Sequence, residues 1–321
     1  MKTRNSLRVE SLESRAMLTT LFVESGAVGG DGSANAPFGS IQEAVDAAAA
    51  NPGDDTVMIG AGVYEENVEI EESDALTLKG QGNVVIRHPE IDVDGGDEPD
   101  DIIDAEGDVT FQNLNLEGLL IGDDLGGRGI DAKDGSFTLI NVSVTGTDGD
   151  AVRFRDFGSL DIRNSTFSSL DADGMDIEDG GSVRISNTDA SDNDDEGLEV
   201  DRVDLIEVVG GSFLGNGDDG IDIDSASVVR VVNVVSEGNG GNGFQAEAET
   251  IDMDVTLIGS RLNDNDENGV QVVEDGASVV QLTLIGNLST NNVEAAFDID
   301  ISGSTKSKGN KASGNGDDSI P

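Results

Sequence analysis

NGDDGIDID, Asn216–Asp224, sets two adjacent aspartates in a turn, then a glycine, then a short alternating strand. The same turn–Gly–apolar–x–apolar pattern recurs as RGIDA, DAVRF, DGMDI, EGLEV, NGFQA, NGVQV and AAFDI. Its Gly or Ala anchors are Gly129, Ala151, Gly174, Gly197, Gly220, Gly243, Gly269 and Ala296, spaced 22, 23, 23, 23, 23, 26 and 27 residues apart. A second column comprises Asn113, Asn141, Asn164, Asn187, Gly210, Asn233, Gly259 and Gly286. Asn and Gly enter the left-handed region at low cost, so this column implies one sharp bend per repeat. Between the columns apolar and polar residues alternate, which is strand periodicity. Met175, Leu198 and Ile221 align, as do Val183, Ile206 and Val229. One such repeat cannot bury its apolar side alone, whereas stacked repeats can. The expected fold is all-β: a right-handed parallel β-helix of roughly 23-residue coils, regular from about residue 102 to 317.

The flanks complete the domain plan. Residues 40–51 carry a capping box, Ser40 with Glu43, and end at Asn51-Pro52-Gly53, which predicts a short helix covering the open N-terminal end of the stack. The β-helix domain is set at residues 31–321, with a leader over 1–30. Near residue 310, STKSKGNKASGNG keeps the turn spacing but loses its apolar positions, so the last coil is expected to fray. The acidic run from Glu90 to Asp101 reads as a loop.

With 66 acidic and 18 basic residues the formal charge is −48, which argues against nucleic acid and anionic membranes as partners. It favours cations or cationic surfaces. No cysteine is present, which excludes disulfides and thiol catalysis. No apolar run is long enough to span a membrane.

Two resemblances follow from these residues. SLESRAML, Ser11–Leu18, resembles the LEPR-XLL motif of planctomycete surface proteins, with Ser14 in place of the motif's proline. It implies an extracellular or cell-surface location without an ordinary signal peptide. SIQEAVDAA from Ser40, then Gly62-x-Tyr64-x-Glu66-x-Val68-x-Ile70, then LKGQG from Leu78, resembles the opening of pectin methylesterases and other pectin lyase-like proteins. That superfamily contains lyases, hydrolases, esterases, epimerases and non-enzymes, so it implies a fold and not an activity.

Each catalytic precedent departs from this sequence. Asp218 and Asp219 resemble the paired aspartates of polygalacturonases, with Asp195 one coil earlier, but the family's Gly-His-Gly is replaced by Gly241-Asn242-Gly243. Acidic or amide residues precede the anchors from Gly174 to Gly269, as Asp171 and Asp173, Asp195-Glu196, Asp218-Asp219, Asn242 and Glu267-Asn268, and such residues form turns by bonding their own backbone. Pectate-lyase-like enzymes use Ca2+ and an arginine base, and Arg153 and Arg155 lie one coil before Asp176 and Glu178. His88, the one histidine, reads as a surface residue beside Pro89.

Charge is handled differently on the two strand columns. Asp161, Arg184, Glu207 and Arg230 alternate in sign, so rung neighbours attract. On the anchor strand Asp176, Glu199 and Asp222 follow one another unrelieved, flanked by Asp173, Glu196 and Asp219. Rungs about 4.8 Å apart make each bare pair cost roughly 1 kcal/mol even in water. These six carboxylates are the candidate ligands of a Ca2+ ion, which would remove that cost. Two functions remain open. One is a non-catalytic structural, adhesive or carbohydrate-binding surface protein ordered by Ca2+. The other is an enzyme acting on an acidic extracellular polysaccharide. Oligomeric state is not legible.

Overall fold

Strand alternation resolves into a solenoid because each coil's strands pair in parallel with the next coil's, at the register the repeat dictates. The computed structural model describes residues 19–51, 53–89, 101–118, 127–168 and 171–321. Among them, about ten coils stack. Asp176–Glu199–Asp222 align rung upon rung, as do Asp161–Arg184–Glu207–Arg230. Inward positions form continuous apolar stacks, for example Ile177–Val200–Ile223 and Val183–Ile206–Val229, all fully buried. Each such side chain contributes about 1.5–3 kcal/mol through burial.

All eight residues of the bend column have positive φ, from Asn113 at 57° to Gly286 at 67°. The anchors are glycine for a different reason. A Cβ at Gly220 would lie 2.0 Å from Ser236 Oγ and 2.7 Å from Asn239 Nδ2, so the next coil leaves no room for one.

One helix occurs among the described residues, Ile41–Ala49, and its Ile41, Ala44, Val45 and Ala48 join the core. Ser40 caps it by accepting from the Glu43 amide at 3.4 Å. The partner of the first turn, however, is Glu66 rather than Glu43. The Glu66 carboxylate accepts from the Ile41 amide at 2.8 Å, the Gln42 amide at 3.1 Å and Ser40 Oγ at 2.6 Å. A carboxylate there meets both the unpaired amides and the positive end of the helix dipole.

Several expectations are corrected. Strand Thr20–Val23 pairs in parallel with Asp55–Glu65, so coiling begins inside the segment assigned to the leader. The last coil stays paired: Thr305–Lys308 and Lys311–Ser313 continue the ladders, although their side chains are largely exposed. His88 is buried, at 8% exposure, because it turns into the corner beside Asn67 instead of outward. Its Nδ1 lies 2.7 Å from the Pro89 carbonyl, which makes Nδ1 the protonated nitrogen and leaves Nε2 to accept from Asn67 at 3.4 Å. The LEPR-XLL-like segment and residues 90–100 of the acidic run lie outside the described residues. None of the helices described is long and apolar enough to cross a membrane.

Candidate functional site

The anchor strands carry the acidic residues onto one outward face. Its central column runs Asp104, Asp131, Arg153, Asp176, Glu199 and Asp222 on successive rungs, because alternation sends every second side chain out of the sheet. On one side lie Asp150, Asp173, Glu196 and Asp219, from the turns before each anchor. On the other lie Lys133, Arg155, Glu178, Asp201 and Asp224.

Upstream, the acids are neutralised. Arg128 Nε donates to Asp150 Oδ2 at 2.8 Å, and Arg155 Nη2 donates to both oxygens of Asp131 at 2.7 and 2.9 Å. Arg153 Nε approaches Asp176 Oδ2 at 3.0 Å as an ion pair without a hydrogen bond, while its Nη2 reaches Glu178 at 3.1 Å. Both candidate base arginines are thus held by carboxylates. This end of the face opens into a cleft of about 570 Å3 lined by Glu69, Glu71, Asp104, Glu106, Asp131, Lys133 and Arg155. Asp101, Asp104 and Asp131 bring their oxygens within 4.8 Å of one another there, a group missed in the sequence because Asp101 precedes the first regular coil.

Downstream of Arg153 no described cation faces the column. Asp176 is 7% exposed and its Oδ1 is buried without a hydrogen-bond partner. Asp222 and Asp224 likewise each keep a buried, unpartnered Oδ1. Burial, followed by repulsion from Asp150 and Glu178, pushes Asp176 up to about 7 despite Arg153. Burial, then Asp224 and Asp219, pushes Asp222 up to about 8. Asp224 rises to about 6 through burial and its neighbours Glu247 and Glu249. Asp173 rises furthest, to about 10, through burial and then a hydrogen bond shared with Glu196. Glu199, whose side chain is exposed, is also raised, chiefly by partial desolvation among its neighbours.

Geometry separates Asp218 from Asp219. Asp218 is exposed, whereas Asp219 is 4% exposed and turned toward the next coil. Asp219 Oδ1 accepts from the Asn242 amide, as Asp173 Oδ1 accepts from Glu196 at 2.8 Å. Asn242 and Asn268 do the same for the amides of Asn268 at 3.1 Å and Ala295 at 3.0 Å. Asp219 is a rung of a turn ladder in which an amide serves equally well. Burial pushes it up to about 7, against the lowering effect of the Asn242 amide. Asp195 remains exposed on the turn below, its carboxyl raised by partial burial and then by Asp194 and Asp218.

A second ladder went unread in the sequence. Asn193, Asn216, Asn239, Asn265, Asn292 and Asn315 stack through side-chain bonds of 2.7 to 3.0 Å. The signal was present as asparagines spaced 23, 23, 26, 27 and 23 residues apart.

A family model described as a right-handed β-helix region matches residues 128–288. Among solved structures, the polygalacturonase from Erwinia carotovora ssp. carotovora is similar over 98% of this chain and 98% of its own, at 13% identity and a TM-score of 0.56. ORF18 of Geobacillus virus E2 is similar over 91% of this chain and 60% of its own, at 13% identity and a TM-score of 0.58. The pectate lyase Pel9A is similar over 91% of this chain and 79% of its own, at 17% identity and a TM-score of 0.50. At these identities the likeness is one of fold. No curated protein matches the sequence.

Proposed function

The chain belongs to the right-handed β-helix family, and from that premise we propose that it is a non-catalytic structural module of the cell surface whose acidic face is ordered by a divalent cation, with Ca2+ as the fitting ion. The observation that carries this is Asp176, buried at 7% exposure at the head of the Asp176–Glu199–Asp222 run, its Oδ2 paired with Arg153 on the rung below and its Oδ1 left without a hydrogen-bond partner. A buried acceptor without a partner costs about 1–3 kcal/mol, and more when charged. An oxygen-seeking cation removes that cost together with the rung repulsion. Asp173, Asp176, Glu196, Glu199, Asp219 and Asp222 are its ligand set. The helix Ile41–Ala49 covers the first coil, and an extracellular setting supplies millimolar Ca2+, the range in which weak extracellular sites operate. Calorimetric titration of CaCl2 into the metal-free chain tests this. Binding heat is expected in the wild type and a large loss of affinity in Asp176→Asn; no heat in the wild type would reject the reading.

One observation favours a second reading. Asp173 is a buried carboxyl whose pKa is raised by burial and then by a hydrogen bond with Glu196, and it also contacts Glu199. A carboxyl held neutral by burial is one of the two groups that glycoside hydrolysis requires, the second standing about 5 Å or more away across the scissile bond. Under it, a panel of acidic polysaccharides should yield new reducing ends, and Asp173→Asn should abolish them. Cleavage unaffected by that substitution, or none, would remove this reading.

A further inference from the structure

We infer that the outer corner at Gly259, Gly286 and Gly309, the bends of the last three coils, is a contact surface for an anionic lipid bilayer. It lies apart from the anchor strands and does not rest on the cation reading above.

Two outward columns frame this corner. Ile258, Ile285 and Lys308 stack on successive rungs just before the bend, and Arg261, Leu288 and Lys311 stack just after it. The three glycines between them all have positive φ. A Cβ at Gly286 or Gly309 would meet nothing within 4 Å, so the ridge between the columns is bare. Ile285 is 40% exposed, Ile258 and Leu288 are half-buried, and the three cations are exposed. Neither column holds an acid, and Lys306, two residues before Lys308, adds a fourth exposed cation.

Ion pairing sets these cations apart. Every described arginine from Arg87 to Arg230 is paired with a carboxylate, as is Lys133. Arg261, Lys306, Lys308 and Lys311 have no ion pair among the described residues, in a chain with 66 acidic residues. Lysines on a terminal rung guard a sheet edge against pairing. That role accounts neither for Arg261, two rungs inside the stack, nor for aliphatic side chains left exposed between the cations.

The kind of partner follows from this layout. The cations are spread along a convex ridge, with Arg261 and Lys311 two rungs, or about 10 Å, apart, so they do not converge on one anion. A sheet of anions over an apolar layer satisfies both residue types. Lysine and arginine heads meet the headgroup phosphates while their stems and the aliphatic side chains enter the acyl boundary. The formal charge of −48 opposes adsorption of the whole rod, but exposed charges more than about 10 Å away are largely screened at physiological ionic strength. The rod is therefore tethered by this corner alone.

Co-sedimentation of the full chain with phosphatidylglycerol vesicles and with phosphatidylcholine vesicles tests this, in EDTA so that no cation bridges the acidic face to lipid. Binding to phosphatidylglycerol alone is expected, weakening as NaCl rises. The triple variant Lys306→Gln, Lys308→Gln, Lys311→Gln should lose affinity roughly a hundredfold. Ile285→Ser should lose several-fold at unchanged charge. All four positions are exposed, so the melting temperatures of both variants should match the wild type. No binding to phosphatidylglycerol overturns the inference, as does binding that the lysine variant retains in full. Loss in the lysine variant but none in Ile285→Ser also overturns it, in favour of a purely electrostatic partner such as polygalacturonate. None of these outcomes touches calcium binding, so this inference and the cation reading stand or fall separately.

Discussion

Two outward columns of the same solenoid solve the same electrostatic problem in opposite ways. On one, Glu207 sits between Arg184 at 2.8 Å and Arg230 at 2.5 Å, and like charges never share neighbouring rungs from Asp161 to Arg230. On the other, Asp176, Glu199 and Asp222 stack on successive rungs with one cation, Arg153 beside Asp176, and burial raises the pKa of Asp176 to about 7 and of Asp222 to about 8. Coil geometry forces stacking on both columns, so it cannot account for the difference. The proposed cation is what would distinguish the acidic face from the alternating one.

The interior supplies the reference for a stack with every partner present. Asn239→Ala removes the acceptor of both the Asn216 amide and Asn216 Nδ2, and the donor to Asn265 Oδ1. Each orphaned buried group costs about 1–3 kcal/mol, so a total loss of about 3 kcal/mol or more is expected in denaturant unfolding. A loss near zero would mean that polar stacking is not what holds the coils in register, and the contrast between the faces would lose its meaning.

The bare column should reveal itself through pH. Asp176, Asp219 and Asp222 titrate near 7, 7 and 8 in the folded chain, against about 4 when unfolded. The folded state thus holds the extra protons, so the stability they confer is complete below about pH 4 and is lost as pH rises through 7 to 8. The melting temperature of the chelated protein should fall between pH 5.5 and pH 8.5. Changing Asp176, Glu199 and Asp222 to their amides should flatten that slope; an unchanged slope would place the unbalanced charge elsewhere.

How much of this was legible in the sequence depends on what each letter had to specify. The bend column could be read because only Asn and Gly take positive φ cheaply, and all eight positions do so. The charge columns could be read because register follows from the repeat. The inner ladder could not be separated from the bends, since asparagine serves both. Asn233 turns a corner at φ 55°, whereas Asn239 points inward to Ser236 and Asn265. Glu66 at the helix N-terminus and His88 against Asn67 depend on partners more than 20 residues away, outside any local pattern. Asp219 looked like chemistry because its pairing with Asp218 resembles the polygalacturonase aspartates, while the one acceptor the turn needs is supplied by Asp219 alone.

Smaller effects sharpen the contrast further. Glu207→Gln breaks an attractive rung on an exposed column, so about 0.5–1 kcal/mol should be lost at low salt and little at 1 M. In EDTA, Asp219→Asn should be tolerated, or raise stability by a few tenths of a kcal/mol above pH 7, because Asn242 and Asn268 already fill the same ladder role. A marked destabilisation by this change, measured by chemical denaturation, would give Asp219 a task that the amides do not share.

The central claim is that the unbalanced column is a cation site, and a thermal melt tests it most directly. Wild type and the triple variant Asp176→Asn, Glu199→Gln, Asp222→Asn would be melted at pH 8 in CaCl2 and in EDTA. A ligand that binds only the folded state raises the melting temperature by mass action. The account predicts a clear calcium-dependent rise in the wild type, no rise in the variant, and a variant more stable than wild type in EDTA. Equal melting temperatures for the wild type in CaCl2 and in EDTA would contradict it.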